Sequence, residues 1–170
     1  AAQAIGAVNT VVVQGDGTLH GMNTDADGNL ASLLSQAPDA RIDRALVIGA
    51  GGASRAVLYA LTHHFNAKVW VANRTHARAK DMASGLHGVQ PIFWDECADA
   101  VPEADLIVNT TTLGMHGQPP LPLPLSGAKP GCIVSDIVYT PLLTPLLQDA
   151  SAHSLRTVTG LGMLIHQAVP

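Results

Sequence analysis

The chain has 170 residues and a formal net charge of −4, and 47% of its residues are hydrophobic and 13% are charged. Because disordered chains are poor in apolar residues and rich in charge, this composition excludes disorder for most of the chain. Basic residues are not in excess, so nucleic acid and anionic membranes are not expected as partners, and two Cys are too few for a disulfide scaffold. With no signal peptide and no apolar run of about 18 residues, the sequence predicts a soluble protein of a reducing compartment, the cytoplasm.

The first two dozen residues predict a β-hairpin. The run Ala7–Val13 is rich in β-branched residues, Gly15–Gly17 supplies turn residues, and Thr18–Met22 forms the returning strand. Helical spacing then begins, with leucines at positions 30, 33 and 34. Thr24 and Asp27 resemble a capping box at the start of this helix, and Pro38 ends it.

From Ala45 onward, short apolar runs alternate with amphipathic segments. Strands are predicted at 45–49, 68–72, 90–93, 105–109, 132–136 and 155–158, and helices at 53–61, 75–86, 95–100, 142–150 and 161–169. This alternation predicts an α/β fold with a Rossmann-type, doubly wound parallel sheet that is covered on both faces. The Pro- and Gly-rich stretch 114–130 is predicted to be a long loop.

A glycine-rich turn follows the first strand of this sheet. It reads Gly49-Ala50-Gly51-Gly52-Ala53-Ser54 and leads into a helix. Glycines allow the tight turn and the close approach of a pyrophosphate, and the helix N-terminus offers unpaired N–H groups to its oxygens. Ser54 replaces the third glycine of the usual fingerprint and is small enough for helix–strand packing. A glycine-rich turn without a ligand is the alternative.

The end of the second strand indicates the cofactor. NAD-binding folds carry an Asp or Glu there, which hydrogen-bonds the ribose 2′-hydroxyl. This chain has Asn73-Arg74-Thr75 at that place, with Arg78 one helical turn later. Two guanidinium groups and no carboxylate favour a 2′-phosphate, and therefore NADP over NAD. The alternative is that both Arg side chains are merely solvated helix residues.

Together these motifs resemble the shikimate dehydrogenase family. The matching runs are AIGAVNT (4–10), GMNTDADG (21–28), GAGGASRAV (49–57), NRTHAR (73–78), NTTTLGM (109–115), DIVYTPLLTPLL (136–147) and GLGMLIHQAV (160–169). The resemblance implies an N-terminal substrate domain joined to an NADP domain. It also implies reversible, NADPH-dependent reduction of 3-dehydroshikimate to shikimate, on the route to chorismate and the aromatic amino acids.

The resemblance also implies roles for individual residues. Shikimate would be bound by Asn9, Asp25, Tyr139 and Gln167. The cofactor would be bound by Gly49, Ala50, Gly51, Gly52, Ala53, Asn73, Arg74, Thr75, Arg78, Ile137, Gly160 and Met163. Each has a simpler alternative: Asp25 as a first-turn acid, Asn9 bound to local backbone, Tyr139 as a half-buried aromatic and Met163 as a core residue.

The family's catalytic Lys lies in a motif before AVNT, and this chain has no such segment. Asp25 therefore lacks the Lys that it would orient, and we expect the chain alone to bind NADP weakly and turn over little. The first residue is not Met and the last helix breaks off at Pro170, so both ends look cut. The expected parts are a substrate-domain remnant (1–24), a bridging helix (25–40), the NADP domain (41–159) and a helix returning to the substrate domain (160–170).

Two other functions stay open at this point. One is a quinate/shikimate dehydrogenase of the same superfamily, and the other is a non-catalytic NADP-binding module. A zinc enzyme is not expected, because the eight His show no paired ligand spacing with the two Cys, and no metal site is predicted. The expected partner is a small-molecule substrate, and nothing in the sequence indicates an oligomeric state.

Overall fold

A computed structural model describes residues 2–168, and its first elements are a short helix and a β-hairpin. Helix α1 is Ala2–Ile5, and strands β1 (Thr10–Val13) and β2 (Leu19–Met22) pair antiparallel. The predicted hairpin is confirmed, although its first strand begins three residues later than expected. Residues 7–9 lie outside the strand, and the four-residue α1 was not predicted because it is too short to show a helical period.

Helix α2, Asp25–Gln36, begins directly after the hairpin. The helix was predicted, but the capping box was wrong. The Asn23 side chain caps the helix instead, because its Oδ1 accepts from the N–H groups of Asp25 (3.1 Å) and Ala26 (3.4 Å). The hairpin brings Asn9 beside Thr24, so the Thr24 hydroxyl and N–H both contact the Asn9 amide rather than the helix backbone.

Six parallel strands form the central sheet. They are β3 (Arg44–Ile48), β4 (Lys68–Ala72), β5 (Val89–Ile92), β6 (Leu106–Asn109), β7 (Ile133–Asp136) and β8 (Arg156–Val158). Their order is β5-β4-β3-β6-β7-β8, so β3 lies in the middle and the chain winds outward in both directions. This is the Rossmann-type doubly wound order, and it confirms the predicted fold class.

Helices cover both faces of the sheet. They are α3 (Gly52–His64), α4 (His76–Ala83), α5 (Cys97–Ala100), α6 (Pro145–Ala152) and α7 (Gly160–Gln167), with 3-10 turns at Trp94–Glu96 and Val101–Glu103. Helix α4 ends before the predicted residue 86, because Gly85 takes a positive φ of 84°. Helix α6 begins later than predicted, where Thr144 caps it and Pro145 fills its first position. Within residues 2–168, no helix is both long and apolar enough to span a bilayer.

Most of the core lies in two apolar layers, one on each face of the sheet, and a small third cluster joins α1, α2 and α3. Side chains alternate along β3, so Val47 joins the layer beneath α3 and α4. Its neighbours Leu46 and Ile48 join the layer beneath α6 and the proline-rich loop. Burial on both faces explains why these strands read as continuous apolar runs in the sequence.

Helices α2 and α7 cross closely and run antiparallel. A Cβ added to Gly28 would lie 2.8 Å from the backbone nitrogen of Gln167, so a glycine is needed at this crossing. Near the other end of α2, the Gln36 Oε1 accepts a hydrogen bond of 3.1 Å from the Thr159 N–H, just before α7 begins. The contact between Gly28 and Gln167 places Gln167 near the first turn of α2, where Asp25 lies.

Candidate functional site at the carboxyl edge of the sheet

Polar and glycine residues gather where the parallel strands end. Ile48 pairs with both Ala72 and Asn109, and Asn109 pairs with Asp136, so the carboxyl ends of β3, β4, β6 and β7 form one edge. The glycine-rich turn, the Asn73–Arg78 segment and the loop beginning at Ile137 all follow these ends. In doubly wound sheets this edge is where ligands bind.

The glycine loop, residues 49–54, turns sharply from β3 into α3. Gly49 has a φ of +116°, and its N–H donates to the Ala72 carbonyl at 2.8 Å. A Cβ at Gly49 would lie 3.0 Å from the Thr111 Cγ2 and closer still to the Thr110 hydroxyl, so a glycine is required there. At Gly51 and Gly52 a Cβ would meet nothing within 4 Å. The outer side of the loop is thus open to a ligand.

Ser54 organises the inner side of the loop. Its buried Oγ accepts from the Gly51 N–H at 3.2 Å and lies 2.6 Å from the Thr110 Oγ1, whose own proton goes to the Ile48 carbonyl. The Gly51 N–H is therefore used within the protein. The N–H groups of Gly52 and Ala53, in the first turn of α3, have no intrahelical acceptor and suit an anion. Sequence reasoning credited Ser54 only with small size.

The segment after β4 presents two cationic side chains. Asn73 Nδ2 donates to the Thr75 carbonyl at 3.0 Å, and the Arg78 N–H donates to the same oxygen at 3.0 Å, which opens α4. Arg74 and Arg78 are exposed, and neither pairs with a carboxylate within residues 2–168. Two unpaired guanidinium groups beside an open glycine loop fit a phosphate group.

A pocket of about 200 Å³ lies at the ends of β6 and β7. Its lining comes from residues 111, 112, 115 and 137–140. A Cβ on Gly160 would lie 2.6 Å from the Val138 carbonyl oxygen, so only glycine lets α7 begin against this loop. The predicted residues Ile137, Tyr139 and Gly160 are thus brought together, with Tyr139 half exposed at the pocket.

A buried polar network supports this pocket, and sequence reasoning missed it. Asn109, Asp136 and Thr144 are fully buried. The Asp136 carboxylate accepts from Asn109 Nδ2 (3.0 Å), the Val138 N–H (3.0 Å) and the Thr144 hydroxyl (2.7 Å). Burial raises the pKa of the Asp136 carboxyl, while these hydrogen bonds act in the opposite direction. The available signal was a polar residue closing each of two apolar strands, LIVN and IVSD.

Three of the four predicted substrate residues, Asn9, Asp25 and Gln167, lie around the start of α2, whereas Tyr139 lies at the pocket after β6 and β7. Asn9 Nδ2 donates to Asp25 Oδ1 at 2.7 Å, and Asn9 also contacts Thr24. Gly28 follows Asp25 by one helical turn and touches Gln167, so Gln167 lies on the same side of α2. Met163 is buried, with its sulfur 3.8 Å from Asn29 Nδ2 on α2. A carboxylate and two amides at one place can bind the hydroxyls of a small polar molecule.

Two other features lie away from this edge. Within residues 2–168, no group of three or more His, Cys, Asp or Glu side chains is placed to hold a metal ion. A shallow groove of about 400 Å³ is lined by Arg44, Lys68 and Trp70 among others. Because these residues begin or lie near the start of β3 and β4, the groove belongs to the opposite, amino edge of the sheet.

Known proteins match this chain over nearly its whole length. A family model described as Shikimate / quinate 5-dehydrogenase matches residues 31–115, half of the chain. A shikimate dehydrogenase (NADP(+)) from Azorhizobium caulinodans is 53% identical to this chain, and the match covers 99% of this chain and 61% of that protein. Another, from Methylobacterium radiotolerans, is 51% identical, and the match covers 62% of that protein.

Solved structures share the fold of this chain. The quinate dehydrogenase from Corynebacterium glutamicum in complex with NAD has a TM-score of 0.93 and 36% identity, covering 99% of this chain and 62% of its own. Shikimate 5-dehydrogenase from Thermus thermophilus, in complex with NADP(H) and shikimate, has a TM-score of 0.85 and 42% identity, covering 98% and 60%. This chain spans about 60% of the length of the relatives it matches. By its matching family model, its relatives and its fold, the chain belongs to the shikimate/quinate 5-dehydrogenase family.

Proposed function

We propose that this chain binds NADP(H) and serves the reversible, NADPH-dependent reduction of 3-dehydroshikimate to shikimate. Relatives named shikimate dehydrogenase (NADP(+)) support the reaction, and a Thermus thermophilus relative was solved with NADP(H) and shikimate. The observation that carries the cofactor choice is the pair of exposed, unpaired guanidinium groups of Arg74 and Arg78 beside an open glycine loop.

Three parts of the carboxyl edge bind three parts of the cofactor. The N–H groups of Gly52 and Ala53 hold the pyrophosphate, since Gly51 gives its own N–H to Ser54. Arg74 and Arg78 hold the 2′-phosphate, next to Asn73 and Thr75. The nicotinamide end lies in the pocket that Ile137 lines, with Gly160 packed behind Ile137 and Met163 farther along α7. When bound, NADPH supplies the hydride, and the protein supplies position.

The start of α2 binds the substrate in this proposal. Asn9 donates to one carboxylate oxygen of Asp25, which leaves the other oxygen for a substrate hydroxyl. Gln167 lies on the same side of α2, and Tyr139 approaches from the nicotinamide pocket. Reduction of a ketone also needs a proton donor, and the three lysines of this chain, Lys68, Lys80 and Lys129, lie elsewhere. We assign proton donation to a residue of the family outside these 170 positions.

Titration of the chain with NADPH and with NADH tests the cofactor assignment. We expect tighter binding of NADPH, and we expect Arg74→Ala to weaken NADPH binding about tenfold, the loss of one charge-assisted contact. NADH binding should stay unchanged in this variant, because NADH carries no 2′-phosphate. Arg41→Ala removes an equally exposed Arg before β3 and is the matched control. Equal affinities of the wild-type chain for both cofactors would refute the assignment.

A quinate/shikimate dehydrogenase that uses NAD is the second candidate. It is supported by the high structural similarity to the Corynebacterium glutamicum quinate dehydrogenase, whose complex contains NAD. The same titration separates the two candidates, because an NAD enzyme would bind NADH at least as well as NADPH. A non-catalytic NADP-binding module would bind NADPH without binding shikimate or quinate.

A further inference from the structure

Two loops border the nicotinamide pocket, and a single carboxylate holds both ends of one of them. The β7 loop, residues 137–144, follows Asp136. Near the start of this loop, the Val138 N–H donates to Asp136 Oδ1 at 3.0 Å, and at its end the Thr144 hydroxyl donates to Asp136 Oδ2 at 2.7 Å. The shape of the β7 loop is therefore set from inside the sheet.

The other loop is tied to the same carboxylate through Asn109. The β6 loop, residues 110–113, closes on Asn109, whose Nδ2 donates both to Asp136 Oδ1 and to the Leu113 carbonyl at 3.0 Å. Asn109 Oδ1 accepts from the Thr111 N–H at 3.0 Å and from the Thr111 hydroxyl at 2.7 Å. Asn109 thus transmits the position of Asp136 to the β6 loop.

Burial of a carboxylate in this position is not explained by stability. Asp136, Asn109 and Thr144 are all removed from solvent, and buried charged groups cost free energy that well-packed apolar side chains do not. The network contacts the backbone of the loops that line the pocket, and α7 begins directly against the Val138 carbonyl. Its position indicates a role in the shape of the pocket.

We propose that Asp136 is a positioning residue, which through Asn109 holds the β6 and β7 loops at the spacing that the nicotinamide end of the bound dinucleotide requires. The inference rests on the proposed NADP(H) site. It differs from that proposal in naming a residue that touches neither cofactor nor substrate.

Comparison of two ligands separates positioning from general stability. NADPH reaches the loops, whereas adenosine 2′,5′-bisphosphate contains only the adenosine with its 2′- and 5′-phosphates, so it reaches the Arg74 side and the glycine loop but not the β6 and β7 loops. We expect Asp136→Ala to bind NADPH about tenfold more weakly, as expected for the loss of a buried hydrogen-bond network, with the bisphosphate affinity within about twofold of wild type. Asp136→Asn should restore NADPH binding to within about threefold, because its Oδ1 still accepts and its amide donates to Thr144.

Two further variants keep the test decisive. Leu106→Ala removes a buried side chain at the amino end of β6. It should lower the stability of the fold about as much as Asp136→Ala does, without touching the loops. If Asp136→Ala fails to fold, Thr144→Val decides the question: outside the pocket lining, it removes one hydrogen bond to Asp136 together with the 3.4 Å cap of α6, and Leu106→Ala controls for the resulting loss of stability. We expect it to weaken NADPH binding about threefold with unchanged bisphosphate binding.

The contrary outcomes are distinct. Unchanged NADPH binding in the folded variants would overturn the inference, and so would an equal loss for both ligands or the same loss in Leu106→Ala. If the wild-type chain binds neither ligand, the proposed NADP(H) site itself is wrong, and the inference falls with it.

Discussion

At the scale of single residues, the buried Asp136 carboxyl makes the stability of the fold depend on pH. Burial raises its pKa in the folded chain above the ordinary 3.8 of the unfolded chain. The group therefore favours folding most below pH 3.8, and this contribution is lost as the pH rises through the folded pKa. We expect Asp136→Asn, which cannot ionise, to gain stability relative to wild type as the pH rises from 4 to about 7. Urea unfolding of both proteins at each pH measures the difference, and a constant difference would contradict the expectation.

The residues of the site were predictable to the extent that short motifs carry them. Gly49 and Arg74 follow strands at fixed offsets, so their place at the carboxyl edge follows from the strand–turn–helix pattern. The Asp136 network was not predictable, because Asp136 meets Asn109 across 27 positions of sequence. The Thr24 cap failed for the same reason, since the competing partner of Thr24 is Asn9, 15 positions away. Local patterns do not show which distant polar group a side chain meets.

At the scale of elements, the crossing of α2 and α7 joins the proposed substrate side of the site to the proposed cofactor side. We expect Gly28→Ala to destabilise the chain by about 1–3 kcal/mol, because the new Cβ would collide with the Gln167 backbone, which cannot rotate away. Gly162→Ala should cost less, because its nearest neighbours are the side chains of Ser32 and Gln36. At Gly52, where a Cβ meets open space, alanine should leave stability unchanged or slightly raised. Thermal or urea unfolding compares the three variants, and equal effects at positions 28 and 52 would contradict the packing argument.

The strands of the large sheet were predictable because burial on both faces leaves a continuous apolar run, as in β3 and β6. Element ends were less accurate where a single residue decides them. Helix α4 ends before the predicted residue, near the positive φ of Gly85. Helix α6 begins later than predicted, directly after its cap Thr144. The predicted helix at 95–100 is divided between one 3-10 turn, Trp94–Glu96, and α5, a detail that apolar spacing does not encode.

At the scale of the whole molecule, the proposed cofactor side is far more completely built than the proposed substrate side. The glycine loop, the Arg pair and the proposed nicotinamide pocket all lie on the six-stranded sheet. The proposed substrate side consists of Asn9, just before the hairpin, and Asp25 on α2, beside a two-stranded sheet whose Val11, Val13 and Leu19 are exposed. A two-stranded sheet with exposed apolar side chains contributes little stability by itself. Binding of the cofactor should therefore depend little on the substrate side.

We accordingly expect the purified 170-residue chain to bind NADPH but to reduce 3-dehydroshikimate far below the typical enzyme turnover of about 10 s⁻¹. No lysine lies against Asp25 within residues 2–168: Lys68 begins β4 at the amino edge, Lys80 is on α4, and Lys129 pairs with Asp105 at 2.5 Å. An alkoxide formed beside Asp25 would meet a second negative charge and no cationic donor, which opposes the reaction. NADPH oxidation followed by its absorbance, with NADPH binding measured on the same preparation, separates poor binding from poor chemistry. Turnover at an ordinary rate would show that another residue of this chain supplies the proton.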